Sequence, residues 1–570
     1  MGGSSRRRLV LAWLAAGSIA VSACGGTTAS VAPAASGSTP STAAATSDTS
    51  VAPSSDPPPA TAGGVVSIGF ESDIQYFDPA LSYDTVSGAA TRLLYDQLVM
   101  YDEGTGLVPG LAEAMPTVSA DGKTYTFKLR SGVDFYQPDG TVLREMTADD
   151  VVASLNRILD PDLKPNPSPV GPAFFSIIAG ADAVLDGSAP TASGIRAIDP
   201  LTVEIELAAP DKRILNILAM GFGSVVPKEA GLDATAFGAA PIGTGPYHLV
   251  EYKPGEIATF ARNAEYWGTA PMNAGAEIRI GLDATTQLQQ AIVGQLDLMG
   301  DFIPAGEYNA TVEDPDLSGR IHRRTDVAVF YLSLDTSAPD SPLSDVKVRQ
   351  AINHAVDKAN LVKLQNGRGG PATCIFPPNM PGYDPTCDPY PYDLARAQAL
   401  MQEAGQAGFE TELYTDPSDL SKSMAEAIQV DLAKIGITVK IVLQEFDVLL
   451  GTIATPHQAP MVYIGWFQDF PDPSDFIDPI LSCAAAVEGG ANISWWCDPA
   501  IDALAAKALA EPDDAKRIAM YQDIQKQIMA AAPWVPTTLS ETVEVVSARV
   551  SGTYLHPVYS FDLRTIAVAE

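Results

Sequence analysis

The hydrophobic pattern along the chain changes period several times. "VVSIGF", from Val65 to Phe70, is a β-rich apolar run and marks where a folded sequence begins. "KTYTFKLRSGVDF" alternates through Tyr125, Phe127 and Leu129, as a half-buried strand does, and the "SADG" before it signals a turn. The period then lengthens to that of a helix. Val151, Val152, Leu155, Ile158 and Leu159 make one stripe, with Thr147 placed to cap it and Asp149 and Asp150 in the first turn. Pro161 ends it. Three further helical stripes follow: Val348 to Val356, Leu394 to Ala404 capped by Asp393, and Met424 to Ile435 closed by Gly436. After Gly436, Ile437, Val439, Ile441 and Leu443 alternate as a strand. A last helix is expected from about Asp514 to Ala531. Helix, glycine and strand in succession predict an α/β protein.

The front of the chain has no such pattern. Arg6-Arg7-Arg8 and the apolar Leu9 to Val21 form a targeting segment too short for a stable membrane span. Val21-Ser22-Ala23-Cys24-Gly25 resembles a bacterial lipobox, which makes residues 1–23 a lipoprotein signal peptide and Cys24 the lipidated residue. Ser5 to Leu9 loosely matches a twin-arginine signal, and a plain secretory signal fits as well. Residues 24–64 are mostly Ala, Ser, Thr, Pro and Gly and read as a disordered tether. The expected mature protein hangs from lipid on the extracytoplasmic face of the bacterial cell membrane and does not span it.

Composition narrows the partners. The chain has 570 residues, enough for two or more lobes, and a formal net charge of -34. That charge argues against nucleic acid as a partner. Of five cysteines, four remain once Cys24 is set aside: Cys374, Cys387, Cys483 and Cys497. Outside the cytoplasm they suggest two disulfides; three connectivities are open, and local pairing of 374 with 387 and 483 with 497 is expected. Neither pair has the short spacing of a zinc site. The five histidines form no metal motif, and no nucleophile elbow is present. Gly122-Lys123-Thr124 lacks the first glycine of a phosphate loop and opens a strand. Asp469, Asp472, Asp475 and Asp478 recur every third residue, which is not the alternation of a calcium loop. Neither an enzyme nor a cofactor is expected.

Seven stretches carry a resemblance. They are "FDPA", "LAEAMPTVSADGKTYTFKLRSGVDF", "TADDVVASLNRILDP", "PIGTGPYHLVEYKPGE" with "ARNAEYW", "PLSDVKVRQAINHAVDK", "YPYDLARAQALMQEAG" and "GWFQDFPDPSDF". In this order they resemble the large solute-binding proteins of ABC importers, the peptide/nickel family 5. The resemblance implies two α/β lobes of the periplasmic-binding-protein type, closing about a hinge on a ligand between them. Lobe 1 is expected at 65–282, with an extra subdomain near 96–199, lobe 2 at 283–535, and a return segment, 536–570, completing lobe 1. The implied function is to capture short peptides and pass them, as a monomer, to membrane permease subunits with cytoplasmic ATPases. The same fold could instead hold haem, a nickel chelate, glutathione or an oligosaccharide, or serve a non-transporting receptor or chaperone.

The resemblance also implies site residues. Asp469 matches the family aspartate that binds a peptide α-ammonium, and Trp466 could pack on the ligand. Phe467 is either core or cleft wall. Tyr83 and Thr85 fall where the first lobe touches peptide backbone, and Lys422 near a cation for the peptide carboxylate. Asp472 is expected to cap a local turn. Arg349, opposite an apolar stripe, is expected in a surface or inter-element ion pair. Tyr463 stands where some oligopeptide binders carry an arginine, which leaves carboxylate recognition and ligand length open.

Overall fold

A computed structural model describes residues 63–552 and 555–569. Cys24, the targeting segment and nearly all of the tether lie outside them. Two five-stranded sheets form the cores of two α/β lobes. The first sheet has the order Tyr247–Lys253, Ile257–Arg262, Gly275–Ile280, Val65–Phe70, Leu298–Met299. Its Val65–Phe70 strand runs parallel to both neighbours and is buried on both faces from Val66 onward. This is why its sequence is continuously apolar apart from Ser67 and Gly69 rather than alternating. The second sheet has the order Ile437–Leu443, Phe409–Thr415, Met461–Phe467, Ile321–Leu334, Trp534–Val545. Helix Asp419–Ala433 crosses between two of its parallel strands and buries Met424, Ile428 and Leu432.

A smaller antiparallel sheet has the order Thr117–Val118, Thr124–Lys128, Thr202–Glu206, Ile195–Asp199; its third strand lies beyond residue 199, the end expected for the extra subdomain. Helix Ala148–Leu159 packs Val151, Leu155 and Ile158 into the same core as Tyr125, Phe127 and Val203. Thr147 and Asp150 close its N-terminus, the Thr147 N–H donating to the Asp150 carboxylate at 2.8 Å.

Two long strands join the lobes. Ile321–Leu334 and Trp534–Val545 pair antiparallel from Ile321 opposite Val545 to Ser333 opposite Trp534. At one end Val543 and Val545 pack with Leu288, Ala291 and Met299 beside the first sheet. At the other, Leu332, Leu334 and Val535 pack with the helices of the second. The pairing register shifts between Thr325 and Val329, where the strands pass the space between the lobes. Helix Ala284–Val293 and strand Leu298–Met299, which follow residue 282, still pack on the first sheet, and residue 535 falls inside the second long strand.

Cys374 is bonded to Cys387 and Cys483 to Cys497. Arg349 differs from its expectation. It is buried, and its guanidinium donates to the carbonyls of Ala531, Leu343 and Ser344 rather than to a carboxylate. The helix Val346–Ala355 thereby ties down the otherwise unpaired C-terminal carbonyl of helix Asp514–Ala531. Among the described residues no helix is long and apolar enough to cross a membrane.

Candidate functional site

A cleft of about 2960 Å³ runs between the lobes, and residues of both line it. Drug-sized pockets span about 300–1,000 Å³, so this space admits a sizeable solute. The strand Met461–Phe467 delivers "IGWFQDFPDP" to it. Gly465 is required there: a Cβ at this position would come within 2.8 Å of the Phe330 ring on the neighbouring strand. Phe467 lines the cleft and meets Phe330 edge-on at 5.9 Å, so it is a wall. Beyond the strand, Phe470 crosses to the facing lobe and enters the core of the extra subdomain, its ring 6.3 Å from that of Phe174. The loop therefore holds aromatic surface because part of it is core for the opposite lobe.

Asp469 sits at the junction. Its Oδ1 accepts a hydrogen bond from the Tyr83 hydroxyl at 2.7 Å, a contact between residues 386 positions apart and on opposite lobes. Its own N–H donates to Asp475 Oδ2 at 3.0 Å, and Trp466 Nε1 donates to the same oxygen at 3.3 Å. Tyr83 is held between Phe174 and Phe222, with ring centroids 6.0 and 6.2 Å away. Asp84, next to it, caps helix Thr85–Leu94 by accepting from Ser87 N at 2.8 Å. Tyr83, Thr85, Trp466, Phe467 and Asp469 all line the cleft. Lys422 is exposed on helix Asp419–Ala433 and does not line it; Ser418 and Ser421 do.

The four aspartates spaced by three have different electrostatic fates. Asp472 caps the turn Pro473–Phe476, accepting from Ser474 N at 2.9 Å, as expected of a turn residue. It also takes Arg517 Nη2 at 2.7 Å with both side chains buried. Burial opposes its ionisation, but the Arg517 charge wins and holds the carboxyl below its ordinary range. Asp478 meets Arg213 Nη1 at 2.9 Å. Burial pushes it up to about 6, and Arg213 pulls the other way. No salt bridge is formed by Asp469 or Asp475 among the described residues. Burial raises Asp469 to about 6, against the hydrogen bonds from Tyr83 and Asp475. Asp475 is raised well above its ordinary value, by burial first and by the Asp469 charge next. Burial and then the Asp469 charge likewise hold the Tyr83 hydroxyl protonated, as the donor in their bond.

Sequence reasoning placed Asp469 but not its partners. Tyr83 is expected to touch peptide backbone; in the structure its hydroxyl bonds Asp469. Asp475 was considered only as one of four evenly spaced acids, and that spacing was the signal available for it. Among the described residues no cluster of His, Cys, Asp and Glu has the geometry to hold a metal ion.

The model of the bacterial extracellular solute-binding proteins, family 5, matches residues 106–487. The dipeptide-binding protein of Escherichia coli K12 is 32% identical over 511 residues, covering 87% of this chain and 92% of that protein. The heme-binding protein A of Haemophilus influenzae is 30% identical over 505 residues, 85% of this chain and 89% of that protein. Among solved structures, the periplasmic binding protein DppA of Helicobacter pylori in complex with the peptide STSA aligns with a TM-score of 0.71 and 28% identity. The alignment covers 89% of this chain and 98% of that one. With two lobes about a large cleft and a match over most of its length, the chain belongs to family 5 of the bacterial extracellular solute-binding proteins.

Proposed function

We propose that this chain captures short peptides in the interlobe cleft, with Asp469 holding the α-ammonium, and delivers them to the permease of an ABC importer. The observation that carries the reading is the state of Asp469: a half-buried, desolvated carboxylate facing a cleft, with a tyrosine hydroxyl but no cation beside it. An unmatched buried charge costs several kcal/mol. A charge-assisted hydrogen bond to a ligand ammonium offsets that cost and does so only when the lobes are closed. Trp466 and Phe467 offer rigid aromatic walls for peptide backbone or side chains, and Tyr83 and Thr85 contribute the first lobe's side of the cleft. Lys422, outside the lining, is left out of the peptide contacts. The lipid anchor at Cys24 would keep the protein at the membrane, beside its permease. Dipeptide-binding relatives support the peptide reading.

Haem is the second reading, favoured by the relative named a heme-binding protein. Native mass spectrometry of protein made from Thr27 onward in an oxidising compartment separates the two. Trapped small masses that fragment as peptides are expected. A porphyrin mass with its visible absorbance band, and no peptide, would replace peptide with haem.

A further inference from the structure

The cleft is more acidic than the chain around it. Fourteen Asp and Glu residues line it against three arginines, with no lysine or histidine. The whole chain has 69 acidic and 35 basic residues, a ratio of about two to one, so the bias of the cleft is more than twice as strong. All three arginines are engaged. Arg213 is shared between Asp211 at 2.6 Å and Asp478 at 2.9 Å. Arg324 is bonded to Asp326 at 2.8 Å and to the His556 carbonyl at 2.6 Å. Arg92 donates to Gln97 at 2.8 Å and lies over the Tyr559 ring, 3.5 Å from its centroid; its Nη2 has no hydrogen-bond partner among the described residues but is buried. None is presented to a ligand carboxylate.

A second observation points to the ligand itself. Asp475 is 3% exposed and lines the cleft beside Asp469. Its Oδ2 takes the Asp469 N–H and the Trp466 indole N–H. The ammonium pocket thus holds two carboxyls and no protein cation; burial and the Asp469 charge keep Asp475 protonated, so one ammonium matches the Asp469 charge and nothing is left there to attract a ligand anion.

Resting on the peptide reading, we infer that the cleft selects net-positive peptides, those with a basic side chain or a masked C-terminal carboxylate, and discriminates against acidic ones. Burial holds Asp475 and Glu544 protonated, and cleft walls of low dielectric focus the field of the remaining lining carboxylates on the ligand. A lysine or arginine side chain gains from that field wherever it lies. A glutamate side chain, or the ligand's own C-terminus, meets like charge and finds no free guanidinium to pair with.

Titration calorimetry with Ala-Lys-Ala, Ala-norleucine-Ala and Ala-Glu-Ala tests this on the Thr27–Glu570 protein, at pH 7.5 in 0.1 M and in 1 M salt. The norleucine peptide matches lysine in length without its charge. At 0.1 M the order of affinity is lysine, norleucine, glutamate, with lysine over glutamate by about tenfold or more. At 1 M, where the Debye length falls from about 10 Å to about 3 Å, the ratio shrinks. Amidating the C-terminus of Ala-norleucine-Ala tightens its binding. If the three peptides bind alike, or glutamate binds best, the charge inference is overturned while the peptide reading stands. If none binds in either salt, both fall.

Discussion

Asp472 and Asp478 differ from Asp469 and Asp475 in one respect that decides their roles. All four are set three apart on one short loop, Asp472 and Asp475 buried and Asp469 and Asp478 half-buried. The first two each receive an arginine from a distant element: Arg517 from 45 positions away and Arg213 from 265. The other two receive a tyrosine hydroxyl, an indole and a backbone N–H, all neutral donors. A buried carboxylate with its cation is part of the scaffold; Asp469, without one, is on the proposed reading held ready for a ligand cation. The same residue type at the same spacing thus serves opposite ends, and the difference lies in the partner.

The comparison breaks most visibly at the scaffold pair. Asp472→Ala strands Arg517 in the core and is expected to lower stability by about 3–5 kcal/mol in urea unfolding. Asp469→Asn, which removes no ion pair, is expected to leave stability unchanged or slightly raised. An equal loss in both variants would erase the distinction between them.

pH sharpens it next. Asp469 has a folded pKa near 6, above its unfolded value, and is progressively protonated as pH falls through that value. Ligand ammonium needs the ionised form, so affinity for a free-amine peptide should fall below about pH 6, by up to about tenfold per unit. Stability of the ligand-free protein runs the other way. A carboxyl with a raised folded pKa contributes stability that is present below about pH 4 and is lost as pH rises toward 6. Asp472, depressed, contributes the opposite sign: stability present above its unfolded pKa and lost as pH falls through its folded one. Subtracting the Asp469→Asn profile from that of the native protein isolates the first contribution; a flat difference would contradict it.

The smallest effect is expected at Tyr83→Phe. It deletes one hydrogen bond to the carboxylate and keeps the ring between Phe174 and Phe222. Binding should weaken by about 1–2 kcal/mol, read by calorimetry, with little change in unfolding.

Local grammar carried much of the fold in the sequence. The Thr147 cap, the last helix and the strand after Gly436 follow from residues within a few positions of one another, and the helix Asp514–Ala531 has the bounds expected of it. Arg349 shows where such reasoning stops. A helical wheel places it away from the apolar stripe, yet the carbonyls that bury it come from Leu343, Ser344 and, 182 positions later, Ala531. The site divides in the same way. That Asp469 faces the cleft was legible from its motif and its aromatic neighbours. The arginines that neutralise Asp472 and Asp478 are set by tertiary packing, so the sequence could not separate matched from unmatched acids. The even spacing drew attention to Asp475 only as a metal ligand, because its actual partners, Trp466 and the Asp469 N–H, come from the loop's own path.

The most direct test of the central claim is a cycle of four calorimetric titrations. A free-amine peptide and its N-acetylated counterpart are each measured against the native protein and Asp469→Ala. The native protein should prefer the free amine by about 100-fold or more, the scale of a buried charge pair, and the variant should lose most of that preference while binding the acetylated peptide nearly as before. Equal losses for both peptides would show that Asp469 holds the loop rather than the ammonium.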